Sequence, residues 1–205
     1  MAALGFVLYG GTAIALRLGH RASIDFDFFT DKPLDRRALA RALPRLSRST
    51  VLQETADTIT ALVPVGRGKA KVSFFAGLRI GRVGTPDWSD DDVLQVASLD
   101  DLFATKIKVL LQRVEAKDYL DVAAMLENGA DLASGLASAR TLYGETFQPT
   151  ECLKALVYFE GGDLGSLARA TRATLIKAVN AVGDLPRVRR LSRSLSIPAA
   201  NRPRG

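Results

Sequence analysis

The chain has 205 residues, of which 47% are hydrophobic and 24% charged, a composition that can bury a core and excludes a disordered polar chain. One cysteine, Cys152, and one histidine, His20, exclude an intrachain disulfide, a thiolate metal cluster and any site built on several imidazoles. The net charge of +6 lies at one end: residues 185–205 carry six of the 28 basic residues and no acid, and the other basic residues balance the 22 acidic ones.

In chain order, Phe6 to Tyr9 is an apolar run that reads as a strand and stops at Gly10-Gly11. Thr12 then caps a helix over Ala13 to Leu18, closed by Gly19, the pattern of a strand, a glycine turn and a capped helix. Ser23 to Phe29 alternates strictly, with Ile24, Phe26 and Phe28 on one face and Ser23, Asp25 and Asp27 on the other, which predicts a half-buried strand. Pro33 and the spacing of Leu34, Leu39, Leu43 and Leu46 mark an amphipathic helix that ends or bends near Pro44. Val51 to Val65 reads as one or two strands interrupted at Ala56-Asp57, and Thr58 to Phe75 as a hairpin turning at Gly66 to Lys69. Gly77 to Asp92 reads as loop.

Beyond it the pattern is helical. Ser98 to Asp101, "SLDD", opens a helix carrying Leu102, Phe103, Ile107, Leu110 and Leu111. Further helices are expected over Lys117 to Leu126, Leu153 to Phe159 and Leu164 to Val182. The expected organisation is α+β: a sheet-containing unit over 1–95, a helical region over 96–184, and a basic, flexible tail over 185–205 able to contact phosphates. No apolar run has bilayer length and no signal-type leader is visible, so the expected compartment is the cytoplasm, with no membrane partner.

The stretch "GGTAIALRLGHRASIDFDFF" concentrates the chemistry. Asp25 and Asp27, two apart on a strand, present two carboxylates side by side, and such a pair ionises jointly when a cation lies between the charges. Hard oxygen ligands suit Mg²⁺, which takes one or two carboxylates and fills its shell with water and phosphate oxygens. Upstream, the glycine pair sets backbone N–H groups at a helix N-terminus, an anion site by geometry and dipole. Singly, each motif also reads as a turn or a solvated face. Together and in this order they point to a metal-bound polyphosphate.

This stretch resembles the signature of the AbiEii/AbiGii abortive-infection toxin family, nucleotidyltransferases of the DNA polymerase β-like superfamily. "ATKIKVLLQRVEAKDYLDVAAML", Ala104 to Leu126, resembles the family's second conserved region, and "ECLKALVYFEGGD", Glu151 to Asp163, its later helical segment. The resemblance covers most of residues 6–163. It implies a small mixed nucleotidyltransferase-type sheet flanked by helices, then a helical C-terminal half. It implies Gly10, Gly11 and Thr12 at the triphosphate with Ser23 and Arg113 in the nucleotide site, and Asp25 and Asp27 as ligands of Mg²⁺. Lys106 would contact the nucleotide phosphates, and Asp118 would complete the catalytic set. Lys117 and Asp121 match neighbouring positions, and their spacing of four is equally that of a surface ion pair. The implied reaction moves a nucleoside monophosphate from an NTP to an acceptor hydroxyl, a tRNA 3′ end being the first expectation, and the implied protein partner is a cognate antitoxin. Two departures stand out. Many polymerase β-like enzymes draw a third carboxylate from a later strand, where Lys69 to Gly77 offers only Ser73, and relatives commonly have helical sequence ahead of the first strand. These departures favour the alternative of a non-catalytic nucleotide- or RNA-binding descendant; transfer to a protein or small molecule is the third reading. On one continuous helix Lys106 and Asp118 would be offset by roughly a third of a turn, and a break around Val114 to Ala116 would help both reach one site.

Overall fold

In the computed structural model, which describes residues 1–198, the buried apolar run Val7–Tyr9 forms strand β1. Helix α1 follows directly at Gly10–Leu18. The helix therefore starts at the glycines, two residues before the expected cap. Thr12 is buried, and its hydroxyl donates to the Asp25 carbonyl and lies 2.9 Å from Ser23 Oγ. Gly19 ends the helix at φ 63° as expected.

Strand β2 covers Phe26–Phe29, shorter than the alternation predicts. Thr12 engages the Asp25 carbonyl, so residues 23–25 leave the ladder, and Ile24 is exposed rather than inward. Helix α2, Arg36–Ala42, is capped by Asp35, and a 3-10 turn begins at Pro44. Strand β3 is Thr50–Glu54, β4 Thr58–Val65 and β5 Gly68–Phe75. The hairpin holds the expected register from Thr58 opposite Phe75 to Val65 opposite Gly68. Two short strands inside and beyond the expected loop, β6 at Asp87–Trp88 and β7 at Gln95–Val96, complete the sheet. Its order is β3-β4-β5-β2-β1-β7-β6, with β2/β5 and β1/β7 parallel and the other pairs antiparallel.

The helical half consists of α3 Leu99–Leu110, α4 Ala116–Glu127, α5 Leu132–Tyr143, α6 Pro149–Val157 and α7 Arg169–Asn180. Ser98 caps α3 as "SLDD" predicts, accepting from Asp101 N and donating to Asp101 Oδ2 at 2.6 Å. Helix α5 escaped the periodicity reading because alanine, serine and glycine dilute its apolar face of Leu132, Leu136, Ala139 and Leu142. One hydrophobic cluster runs from Phe6 through both halves to Leu195. Both layers are those of an α+β fold with a helical C-terminal half.

The tail departs from the expectation of a free end over its described part. Gln95 exchanges two hydrogen bonds with the Ile197 backbone, at 2.7 and 2.9 Å, and Asp31 accepts from Leu195 N at 3.0 Å. Leu195 is fully buried. Apolar residues between the arginines supply the burial that a uniformly charged tail would lack. Residues 199–205, with Arg202 and Arg204, lie outside the described residues.

Candidate active site

Asp27 stands on β2 opposite Tyr9 of β1 and Ser73 of β5. Asp25 precedes the strand, and both line one cleft of about 630 Å³ with Gly10, Gly11, Ser23, Ser73, Lys71, Lys106, Arg113 and Lys117. Burial pushes the Asp27 carboxyl above the usual aspartate range; Asp25 pushes the same way, against the Ser73 hydroxyl, Lys71 and Lys106. A group held this way is relieved by a cation between the two carboxylates. The donor set fits Mg²⁺: two hard carboxylates facing an open cleft with space for water and phosphate oxygens. Among the described residues, no cluster of three or more acidic, histidine or cysteine side chains is placed to hold a metal, and Ser73 occupies the strand position beside Asp27.

The glycines are shaped by these neighbours. Gly10 has φ 74°, and a methyl there would lie 2.5 Å from Asp27 Oδ2; a methyl at Gly11 would overlap Arg21 Nη2. No side chain caps the N-terminus of α1, and Gly10 and Gly11 at that end line the cleft. Thr12 does not line the cleft. It secures the 23–25 segment instead.

Behind the helical wall of the cleft lies a charged network. The chain breaks between α3 and α4 as expected, bringing Lys106 Nζ 2.8 Å from Asp118 Oδ1 and 2.9 Å from Asp121 Oδ2. Arg113 binds Asp118 through two nitrogens, at 2.7 and 3.0 Å. Arg21 does the same to Asp121, at 2.6 and 2.9 Å, and His20 Nε2 lies 2.7 Å from Asp121 Oδ1. Both carboxylates are fully buried. Burial alone would raise their pKa values, but Arg113 and Lys106 hold Asp118 below the ordinary range, and Arg21, Lys106 and His20 do so for Asp121. Asp118 does not itself line the cleft, whereas Lys106 and Arg113, which bind it, do. Asp121 is not the surface partner of Lys117, which pairs with Glu115 at 2.8 Å.

Residues 2–191 match the family described as "Nucleotidyl transferase AbiEii toxin, Type IV TA system". The chain belongs to the AbiEii nucleotidyltransferase toxin family. An uncharacterized protein of Aquifex aeolicus (strain VF5) is 34% identical over 158 residues, 76% of this chain and 74% of that protein. The fold is similar to that of MenT4, a nucleotidyltransferase toxin of Mycobacterium tuberculosis H37Rv, with a TM-score of 0.58, 15% identity, and coverage of 87% of this chain and 76% of that one. Among the described residues of this AbiEii member, no helix is long and apolar enough to cross a membrane. His20 and Arg21 read from the sequence as possible phosphate binders, with a loop-fixing hydrogen bond as the other reading of His20; in this AbiEii member both bind Asp121, and Lys71 is a cleft residue that the sequence reading did not include. Arg21 ties the 19–25 connection to α4, and Lys71 faces the cleft two residues from Ser73. Strand alternation from Ser73 was the available signal for Lys71. The Arg21 contact spans 100 residues and has no local signature.

Proposed function

We propose that the protein is a Mg²⁺-dependent nucleotidyltransferase that moves a nucleoside monophosphate from an NTP to an acceptor hydroxyl, with a tRNA 3′ end as the acceptor to test first. The observation that carries this reading is the meeting of Asp25, Asp27, the uncapped start of α1 and Lys106 in one cleft. When bound at the aspartate pair, Mg²⁺ would neutralise charge developing at the α-phosphate and on the leaving pyrophosphate. The N–H groups of Gly10 and Gly11 hold phosphate oxygens, and Lys106 supplies the fixed positive charge from the opposite wall. Asp118 and Asp121 keep Lys106, Arg113 and Arg21 aimed at that wall, since positioning and charge stabilisation are most of what phosphoryl transfer asks of a protein. The acceptor oxygen bonds to the α-phosphorus as the bond to pyrophosphate breaks, and the hydroxyl proton leaves to water in the open cleft. The family also suggests an antitoxin as protein partner, and the cytoplasm is the compartment that suits an NTP-using enzyme with an RNA acceptor.

The test is incubation with each labelled NTP, Mg²⁺ and total tRNA, comparing the native chain with Asp25→Asn/Asp27→Asn. Transfer should disappear in the variant while its unfolding midpoint stays at or above the native one, because the substitutions remove two half-buried like charges. Undiminished transfer would sink the assignment. A second reading, a nucleotide- or RNA-binding descendant without catalysis, is favoured by Ser73 in place of an acid beside Asp27. NTP binding by calorimetry without any labelled product on RNA, protein or small-molecule acceptors would select it.

A further inference from the structure

The cleft does not end at the aspartates. It extends over Thr60 and Gln53 onto the wing formed by β3, β4 and β5. On one face of that wing, Ile59, Ala61, Val63, Ala70, Val72 and Phe74 are buried, and the 3-10 turn at Pro44–Arg48 packs behind β4. The other face continues from the cleft and lies open, with Pro64, Lys69 and Lys71 exposed and Leu62 half-buried. Along β5 from Ser73, Lys71 and Lys69 project on this open side at every second residue, about 7 Å apart, and Arg67 sits in the turn beyond. Residues 58–75 contain no acid. Arg67 and Lys69 form no ion pair among the described residues, whereas Lys106, Arg113 and Arg21 are held by Asp118 and Asp121.

The nucleotide phosphates are met inside the cleft, which leaves Arg67 and Lys69 without a task there. We infer that the open face of the β3–β4–β5 wing holds the acceptor, a single-stranded RNA end, its phosphates following Lys71, Lys69 and Arg67 so that its terminal hydroxyl arrives beside Asp25 and Asp27. This rests on the nucleotidyltransferase reading with an RNA acceptor and adds the surface along which that acceptor runs. A basic row leading away from a reaction centre is what a polynucleotide backbone requires and what a small acceptor does not. The described tail is not that path: Asp31, which holds Ser194 and Leu195, lies at the end of β2 away from the cleft.

The experiment measures binding of a short labelled single-stranded RNA over a salt series. It compares the native chain with Arg67→Glu/Lys69→Glu and with Arg41→Glu/Arg45→Glu, an equal charge reversal on α2 and the following turn, behind the wing. Calorimetry of NTP binding is run on all three. The wing variant should bind RNA about tenfold or more weakly, with the log–log salt slope reduced by about 1.4 for two lost single-strand phosphate contacts, while NTP affinity is unchanged. RNA affinity unaltered in the wing variant, or lowered equally by the control, overturns the docking surface even if labelled transfer to RNA is intact. Transfer to a protein acceptor without RNA binding overturns it as well. Loss of NTP binding in the native chain would instead remove the reading on which it rests.

Discussion

Gly10 combines a left-handed backbone with the close approach of Asp27 Oδ2, so Gly10→Ala is penalised twice. The conformation costs about 1–2 kcal/mol for any L-residue with a Cβ, and the methyl must displace the carboxylate. The expected outcome is a loss of at least that stability in urea unfolding, with weakened Mg²⁺-dependent NTP binding by calorimetry. The buried acids behave differently. Lys106 is almost wholly enclosed with Asp118 and Asp121, and removing one partner of a buried pair costs about 3–5 kcal/mol. Because both folded-state pKa values lie below the ordinary 3.8, the unfolded chain binds more protons there, and stability rises with pH. The contribution is complete above the ordinary value and is lost as pH falls through the depressed folded value. Asp121→Asn should therefore unfold at much lower urea than the native chain at pH 7, and the two midpoints should converge as the pH drops below 4. Equal separation at every pH would refute an electrostatic origin. At this scale the sequence shows the charged residue types but not their pairing. Asp25 and Asp27 were legible because two-residue periodicity is local, although Asp25 proved to precede the strand. The partners of Asp121 at positions 20, 21 and 106 come from the 19–25 connection and from α3, and no short pattern encodes that meeting.

Elements with strong apolar periodicity and explicit caps were legible: the β4–β5 hairpin, α3 with its serine cap, and the break between α3 and α4. Helix α5 was not, and the reason is its packing. It crosses α3 closely enough that a methyl on Gly135 would lie 2.6 Å from two Phe103 ring carbons and 2.9 Å from Ile107 Cδ1. Small residues make this approach feasible and also erase the apolar signal by which a helix is recognised. Gly135→Ala in an exposed helix would gain roughly 0.5–1 kcal/mol. Here the neighbours are buried, and overpacking of about 1–3 kcal/mol should dominate. A lowered thermal midpoint is expected, and a raised one would mean that α3 and α5 can separate without cost. Strands β6 and β7 were missed for another reason. Each is two residues long, and both join the sheet by long-range pairing rather than by any alternation of their own.

Across the molecule, the two ends of the sheet are put to different uses. The cleft lies where β1 runs into α1 and β2 begins; Asp31 beyond the far end of β2 receives the returning chain near Leu195. On β7, Gln95 is buried and matches both the N–H and the C=O of Ile197, so the segment is attached like an added strand edge although only a side chain supplies the pairing. Sequence composition suggested the opposite, because six arginines dominate the tail while its anchoring rests on Leu195, Ile197 and distant polar partners. The attachment has a separable consequence. Leu195→Ala removes a fully buried side chain and should cost about 2–5 kcal/mol. Its site is some four residues of extended chain from Asp27, on the order of 13 Å along the strand, with the aromatic stack of Tyr9 on Phe29 between. Stability by urea unfolding should therefore fall while NTP affinity, measured well below the new midpoint, stays at the native value. A parallel fall in affinity would mean that the segment around Leu195 sets the geometry of the aspartate pair through β2, and that both ends of the sheet act as one unit in binding.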